Sequence, residues 1–165
     1  MDDNYIAGFV DGEGSFHIAF QKRSDLPLGW QVVPEFHISQ NNHSKAVLEM
    51  IKNRLECGYI KANHATSTRD KTFVYVVRNR QDLIKKIIPF FNRYRLYTEK
   101  WKDFQKFQNI LEKMENKEHL SMKWFSEIVK LAYSMNGNGR YRKVRIDKIL
   151  TSLTSSETIR SALSN

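Results

Sequence analysis

The chain has 165 residues, 41% of them hydrophobic and 12% aromatic, enough to build a proper core in one domain. Its net charge of +9 favours a polyanionic partner. The single cysteine, Cys57, excludes an intramolecular disulfide and a cysteine-based zinc site and fits a reducing compartment; no apolar run approaches membrane-spanning length, and the acidic start Met1-Asp2-Asp3 does not read as a signal peptide.

The first element is a helix with Ile6, Phe9 and Val10 on its core face. Ala7 and Gly8 carry almost no side chain, so another backbone can approach there. Asp11-Gly12-Glu13-Gly14 is expected to end this helix, because glycine takes positive φ cheaply, and to leave Glu13 at the end with little steric cover. From Ser15 to Arg23 the pattern alternates, with Phe16, Ile18 and Phe20 on one face and Ser15, His17, Ala19, Gln21 and Arg23 on the other. Ser24 to Gly29 is a turn by composition. A second strand, Gln31 to Gln40, directs Phe36 and Ile38 inward and Glu35, His37 and Ser39 outward, with local irregularity expected at Pro34.

Asn42 or Ser44 caps a helix from Lys45 to about Glu56, with Val47, Leu48, Ile51 and Leu55 at helical spacing and Gly58 closing it. Tyr59 to His64 and Thr72 to Arg78 form a second hairpin across the polar loop Ala65 to Lys71. A short helix, Gln81 to Phe91, brings Leu83, Ile84, Ile87 and Ile88 to the core, with Pro89 distorting its last turn. Thr98 caps a helix to about Glu115 that repeats Trp101, Phe104, Phe107 and Leu111. Ser121 caps Met122 to Met135, Asn136-Gly137-Asn138-Gly139 breaks it, and a basic block leads into helix to Leu150 and a final short helix from Ser155 or Ser156. Helix, hairpin, helix, hairpin, helix predicts an α+β fold: four antiparallel strands with helices on one face and the other face free. One domain over residues 1–165 is expected, with its core to about residue 115 and a helical extension after it.

A free, polar, curved sheet on a basic chain suits the DNA major groove, where each base pair shows a distinct donor and acceptor pattern. Alternation nominates Ser15, His17, Gln21 and Arg23 on the first strand and Gln31, Glu35 and His37 on the second. The second hairpin adds Lys61, Asn63, Lys71 and Tyr75, although Phe73, Val74, Val76 and Val77 blur its faces. Arg140, Arg142, Lys143, Arg145 and Lys148 read instead as phosphate contacts, which give affinity and position but little sequence information. The five histidines never fall at metal-ligand spacing, and for His17 and His37 base contact is simpler than a zinc pair.

The run Ile6-Ala7-Gly8-Phe9-Val10-Asp11-Gly12-Glu13-Gly14 resembles the signature of the LAGLIDADG homing endonucleases, and it occurs once, as in their single-motif, homodimeric members. The resemblance implies an αββαββα core whose motif helices pair between subunits, with Ala7, Gly8 and Asp11 at the dimer interface and Asp11 structural. It implies that Glu13 holds a divalent metal near the scissile phosphates. Two Glu13 carboxylates with Gly12 carbonyls and phosphate oxygens make a hard oxygen site suited to Mg²⁺, which Mn²⁺ or Ca²⁺ can also occupy. Gln40 matches the family's water-organising residue. Lys100, or less well Lys102, matches its catalytic lysine. Glu13 stands where the family often has Asp, which keeps the charge and moves the oxygens outward. The implied activity is cleavage of both strands of a long, pseudo-palindromic site, leaving short 3′ overhangs and promoting mobility of a host intron. An organelle (chloroplast or mitochondrion) or a bacterial or archaeal cytoplasm is the implied location. Two alternatives stay open: an RNA-binding intron maturase and a catalytically inactive DNA-binding regulator. Intact Gly12-Glu13-Gly14 and Gln40 favour the nuclease.

Overall fold

The computed structural model describes residues 2–64, 71–140 and 142–153. Most of the expected loop Ala65 to Lys71, Tyr141 and the expected helix from Ser155 or Ser156 lie outside the described residues. The elements give an α+β fold with a four-stranded antiparallel sheet in the order β1-β2-β4-β3, here β1 (Gly14–Lys22), β2 (Trp30–Asn41), β3 (Tyr59–Ala62) and β4 (Thr72–Val77). Two compact units divide the chain, Met1–His17 with Pro34–Gln105 and Ile18–Val33 with Lys106–Asn165.

In the first unit, α1 (Asp3–Glu13) starts on Asp2, whose side chain accepts from the Asn4 amide, and buries Ile6, Ala7 and Val10. It ends within Asp11 to Gly14 as expected, with Glu13 last, but not through a glycine at positive φ. The helix runs through Glu13, and Gly14 is extended at φ −82°, already the first residue of β1. Glycine is required there by space: a Cβ on Gly14 would lie 2.6 Å from Val10 Cγ1 and 2.9 Å from its carbonyl oxygen. A helix therefore feeds directly into a strand with no linker.

β2 runs unbroken through Pro34, and its even-numbered residues from Trp30 to Ile38 stay buried on both sides of it, so the expected irregularity is absent. β4 pairs with β2 only over Phe36 to Asn41, so Pro34 lies beyond that ladder, where its missing N–H costs nothing on this edge. α2 (Lys45–Leu55) buries Leu48, Ile51 and Leu55 and ends on Glu56, itself left-handed at φ 53°. Gly58, also at positive φ, lets the chain pass close to β4: a Cβ there would meet the Val76 carbonyl at 2.5 Å. Residues 80–93 form one helical run of α3 (Arg80–Asp82), a π turn (Leu83–Ile87) and α4 (Ile88–Arg93). The distortion expected from Pro89 falls ahead of it, because the π turn, with Ile88 N–H donating to the Leu83 carbonyl, makes room for the proline ring. Phe16 anchors this unit's core, 5.2 Å from Phe36, 5.4 Å from Phe91 and 5.1 Å from Phe104 between ring centroids.

α5 (Lys100–Glu115) passes from the first unit into the second. There, α6 (Met122–Tyr133), capped by Ser121, presents Phe125 and Tyr133 to Phe20. Asn136, Gly137, Asn138 and Gly139 all take positive φ and end the helical stretch as expected. Residues 146–153 are helical, and Ser152 Oγ accepts from the Trp30 indole at 2.8 Å.

Candidate functional site

The C-terminal end of α1 collects the groups singled out by sequence. Glu13 is exposed there, beside carbonyls at the negative end of the helix dipole. Lys100 reaches back to this end, its Nζ donating to the Val10 carbonyl at 2.9 Å and the Gly12 carbonyl at 3.2 Å. Burial pushes the Lys100 ammonium below its ordinary value, against the opposing pull of Asp11 and Glu13. Asp11 sets this placement: its carboxylate accepts from the Tyr97 amide at 2.7 Å and from the Thr98 amide and hydroxyl, just ahead of α5. Because β1 and β2 run antiparallel, the start of β1, directly after Glu13, lies alongside the end of β2, where Gln40 stands half-exposed.

The free face of α1 is Tyr5, Gly8 and Gly12. Tyr5 is 52% exposed, and a Cβ on either glycine would meet nothing within 4 Å. Ala7 is instead 6% exposed, packed in its own chain's core.

On the sheet face opposite the core, the first unit aligns Ser15, His17, Glu35, His37, Lys61 and Asn63. The His17 and His37 rings lie 6.4 Å apart; burial holds the His37 imidazole below its ordinary value. Lys61, Asn63 and Lys71 are exposed, Lys71 just ahead of β4. In the second unit Arg23 donates to Gln31 Oε1 at 3.2 Å and pairs with Asp25 at 2.7 Å, which lowers the Asp25 carboxyl to about 2. Gln21, Arg140, Lys143 and Lys148 are exposed, and Arg145 pairs with Asp147.

The family model described as LAGLIDADG endonuclease matches residues 6–111, from the α1 motif through α5. The chain belongs to the LAGLIDADG endonuclease family. It is 32% identical over 137 residues to a probable intron-encoded endonuclease of Neurospora crassa, covering 82% of this chain and 29% of that protein. Its fold is similar to that of the archaeal intron-encoded homing endonuclease I-Vdi141I complexed with DNA, at 33% identity and a TM-score of 0.82 over 94% of this chain and 96% of that one. It is similar also to I-SmaMI bound to an uncleaved DNA target in the presence of calcium ions, at 36% identity and a TM-score of 0.76 over 83% of this chain and 45% of that one. The chain spans 24% to 36% of the length of three curated relatives that it matches.

Besides Arg23, Gln31 and Arg145, three more sequence nominations for nucleic-acid contact in this LAGLIDADG chain have other partners. Tyr75 faces the core: it pairs with Ile38, cross-strand partners share a face, and its hydroxyl donates to the buried Cys57 carbonyl at 2.9 Å. Glu35 is only 9% exposed and pairs with Arg78 at 2.7 Å. Arg142 is half-buried, its guanidinium donating to the Ile18 carbonyl at 2.5 Å and the Ala132 carbonyl at 2.7 Å and stacking on Tyr133. Conversely, Arg78 shares the outer face with Glu35 and was not nominated. It stands at the expected end of the strand, where alternation from Val76 points it outward, and that was the available signal.

No helix among the described residues is long and apolar enough to cross a membrane.

Proposed function

We propose that this protein is a homodimeric, divalent-metal-dependent DNA endonuclease that binds a long, pseudo-palindromic duplex site through its sheet and cuts both strands. The observation that carries the reading is the meeting of Glu13, the Gly12 carbonyl and the Lys100 ammonium at the exposed end of α1. Among the described residues no three His, Cys, Asp or Glu side chains form a metal cage. One carboxylate with backbone carbonyls is nonetheless a hard, all-oxygen donor set, half of what Mg²⁺, Mn²⁺ or Ca²⁺ requires. That Lys100 seats its ammonium among these carbonyls supports a preference for positive charge there. A second chain across a two-fold axis supplies the other half, with phosphate oxygens of DNA. The bare Gly8 and Gly12 positions on α1 suit such close helix pairing.

In this reading Glu13 and Gly12 hold the metal, which when bound stabilises charge on the scissile phosphate and lowers the pKa of water. Gln40 orients a water through its amide. Lys100 faces the charge that develops on phosphate. The outer sheet face enters the major groove, while Arg140 and Lys143 meet the backbone. Two-fold symmetry yields one cut per strand, with short 3′ overhangs, and cleavage of an intron-free allele promotes intron mobility. Incubating the protein with intron-free genomic DNA, in Mg²⁺ or EDTA, and sequencing the ends tests this. Recurrent double-strand ends at one two-fold-like site, absent in EDTA, are expected; their absence with Mg²⁺ present overturns the reading.

A further inference from the structure

The outer face of the sheet carries an ion pair with one partner covered and the other exposed. The β2–β4 ladder ends with Phe36 opposite Val77; Glu35 precedes that last rung on the same face as His37, and Arg78 follows it, just past the end of β4. Tyr59 on β3 stands opposite Val76, on the same face. Glu35 is the one buried charged residue among the described residues, yet the Arg78 side chain is 45% exposed. One end of the pair is thus locked and the other presented.

Stability alone is a poor reason for this arrangement. Removing a carboxylate from water costs about as much as its ion pair returns, and an apolar pair would often serve as well. What the pair does secure is orientation. Glu35 engages Nη2 of Arg78 at 2.7 Å, so the flat fork is held beside the end of β4 instead of swinging on a free stem. A pre-oriented guanidinium is the group that bridges O6 and N7 of guanine in the major groove; an ammonium cannot match that fork.

We propose that Arg78 reads a guanine in each half of the DNA site and that Glu35 is its positioning residue, not a base contact. This rests on the DNA-binding reading above. The valines on the same face add a reason: Val74 and Val76 are 6% and 2% exposed, leaving the polar groups around them to do the reading.

The test is selection of duplexes from a randomised pool by the full chain in EDTA, followed by sequencing. Wild type is expected to prefer guanine at one position per half-site by about tenfold. R78A and R78K are both expected to lose that preference while keeping the rest of the site, since lysine keeps the charge but not the fork. E35Q is expected to weaken the preference with little loss of total affinity. Melting curves check folding, and if R78A does not fold the decision rests on R78K. Retention of the same guanine by R78K, or uniformly weaker binding by R78A with the preference intact, overturns the proposal. Selection of no sequence by wild type overturns the DNA-binding reading itself.

Discussion

Asp11 and Thr98 stand far apart in the chain and are joined side chain to side chain, the Thr98 hydroxyl donating to Asp11 Oδ1 at 2.5 Å while both its amide and that of Tyr97 donate to the same carboxylate. This clamp ties the end of α1 to the start of α5. It thereby sets Lys100, two residues further on, against the carbonyls beside Glu13. An acid inside the signature motif thus acts on architecture, and Glu13 is left as the exposed one.

Asp11→Ala is expected to cost about 1–2 kcal/mol, since three hydrogen bonds are lost at a half-exposed position. Burial pushes the Asp11 carboxyl up, but the bonds from Thr98 and Tyr97 outweigh it and hold it below its ordinary value. The stabilisation is therefore complete above the unfolded-state value of about 4 and disappears as pH falls through the lower folded-state value. Thermal melts of wild type and variant should converge in acid and separate near neutrality.

Lys100→Ala removes an ammonium and leaves two carbonyls at a helix end. Water can reach at least the exposed Gly12 side, so stability should change little. Cleavage should fall about a hundredfold or more if the cation faces developing phosphate charge. Binding of the uncut site should hardly change. Single-turnover rates measured beside equilibrium affinity separate the two effects.

Tyr75→Phe should destabilise the first unit by about 1 kcal/mol, because the Cys57 carbonyl loses its buried donor. DNA affinity should not move, since the ring lies in the core. Chemical denaturation and a binding titration check both halves.

Arg142 and Lys143 are neighbours with opposite expected behaviour. Arg142→Ala strips two backbone carbonyls of their donor and Tyr133 of its stacked cation, at a cost of about 2 kcal/mol. Lys143→Ala should leave the melt unchanged and reduce the salt dependence of DNA binding by about one unit of log–log slope. Affinity measured across a salt series for both variants distinguishes them.

Legibility followed how local the cause was. β1 could be read because one face is covered and the other is not, so Phe16, Ile18 and Phe20 alternate cleanly with polar residues. β4 could not, because it lies inside the sheet and Val74 to Val77 are buried on both faces. Only the register with β2 shows that Tyr75 points inward. The Gly-x-Gly end of α1 suggested a helix stop from conformational freedom, while the real demand at Gly14 is the crowding of Val10 one turn earlier. The basic block from Arg140 to Arg145 looks uniform in sequence. What separates Arg142 from its neighbours is a pair of carbonyls on β1 and α6, distant in the chain and silent in composition. The pairing of Glu35 with Arg78 was hidden in the same way, although alternation already placed Arg78 outward. The motif itself was legible because Ile6 to Gly14 is one unbroken run, even though Asp11 acts on distant Tyr97 and Thr98.

Glu13→Gln tests the central claim most directly. The variant keeps the size and hydrogen-bonding capacity of the side chain and removes only its charge. On the site mapped with wild type, the variant should bind with nearly wild-type affinity and produce no double-strand ends in Mg²⁺. Cleavage at an undiminished rate by Glu13→Gln would contradict the account, because the carboxylate assigned to hold the metal would then be dispensable.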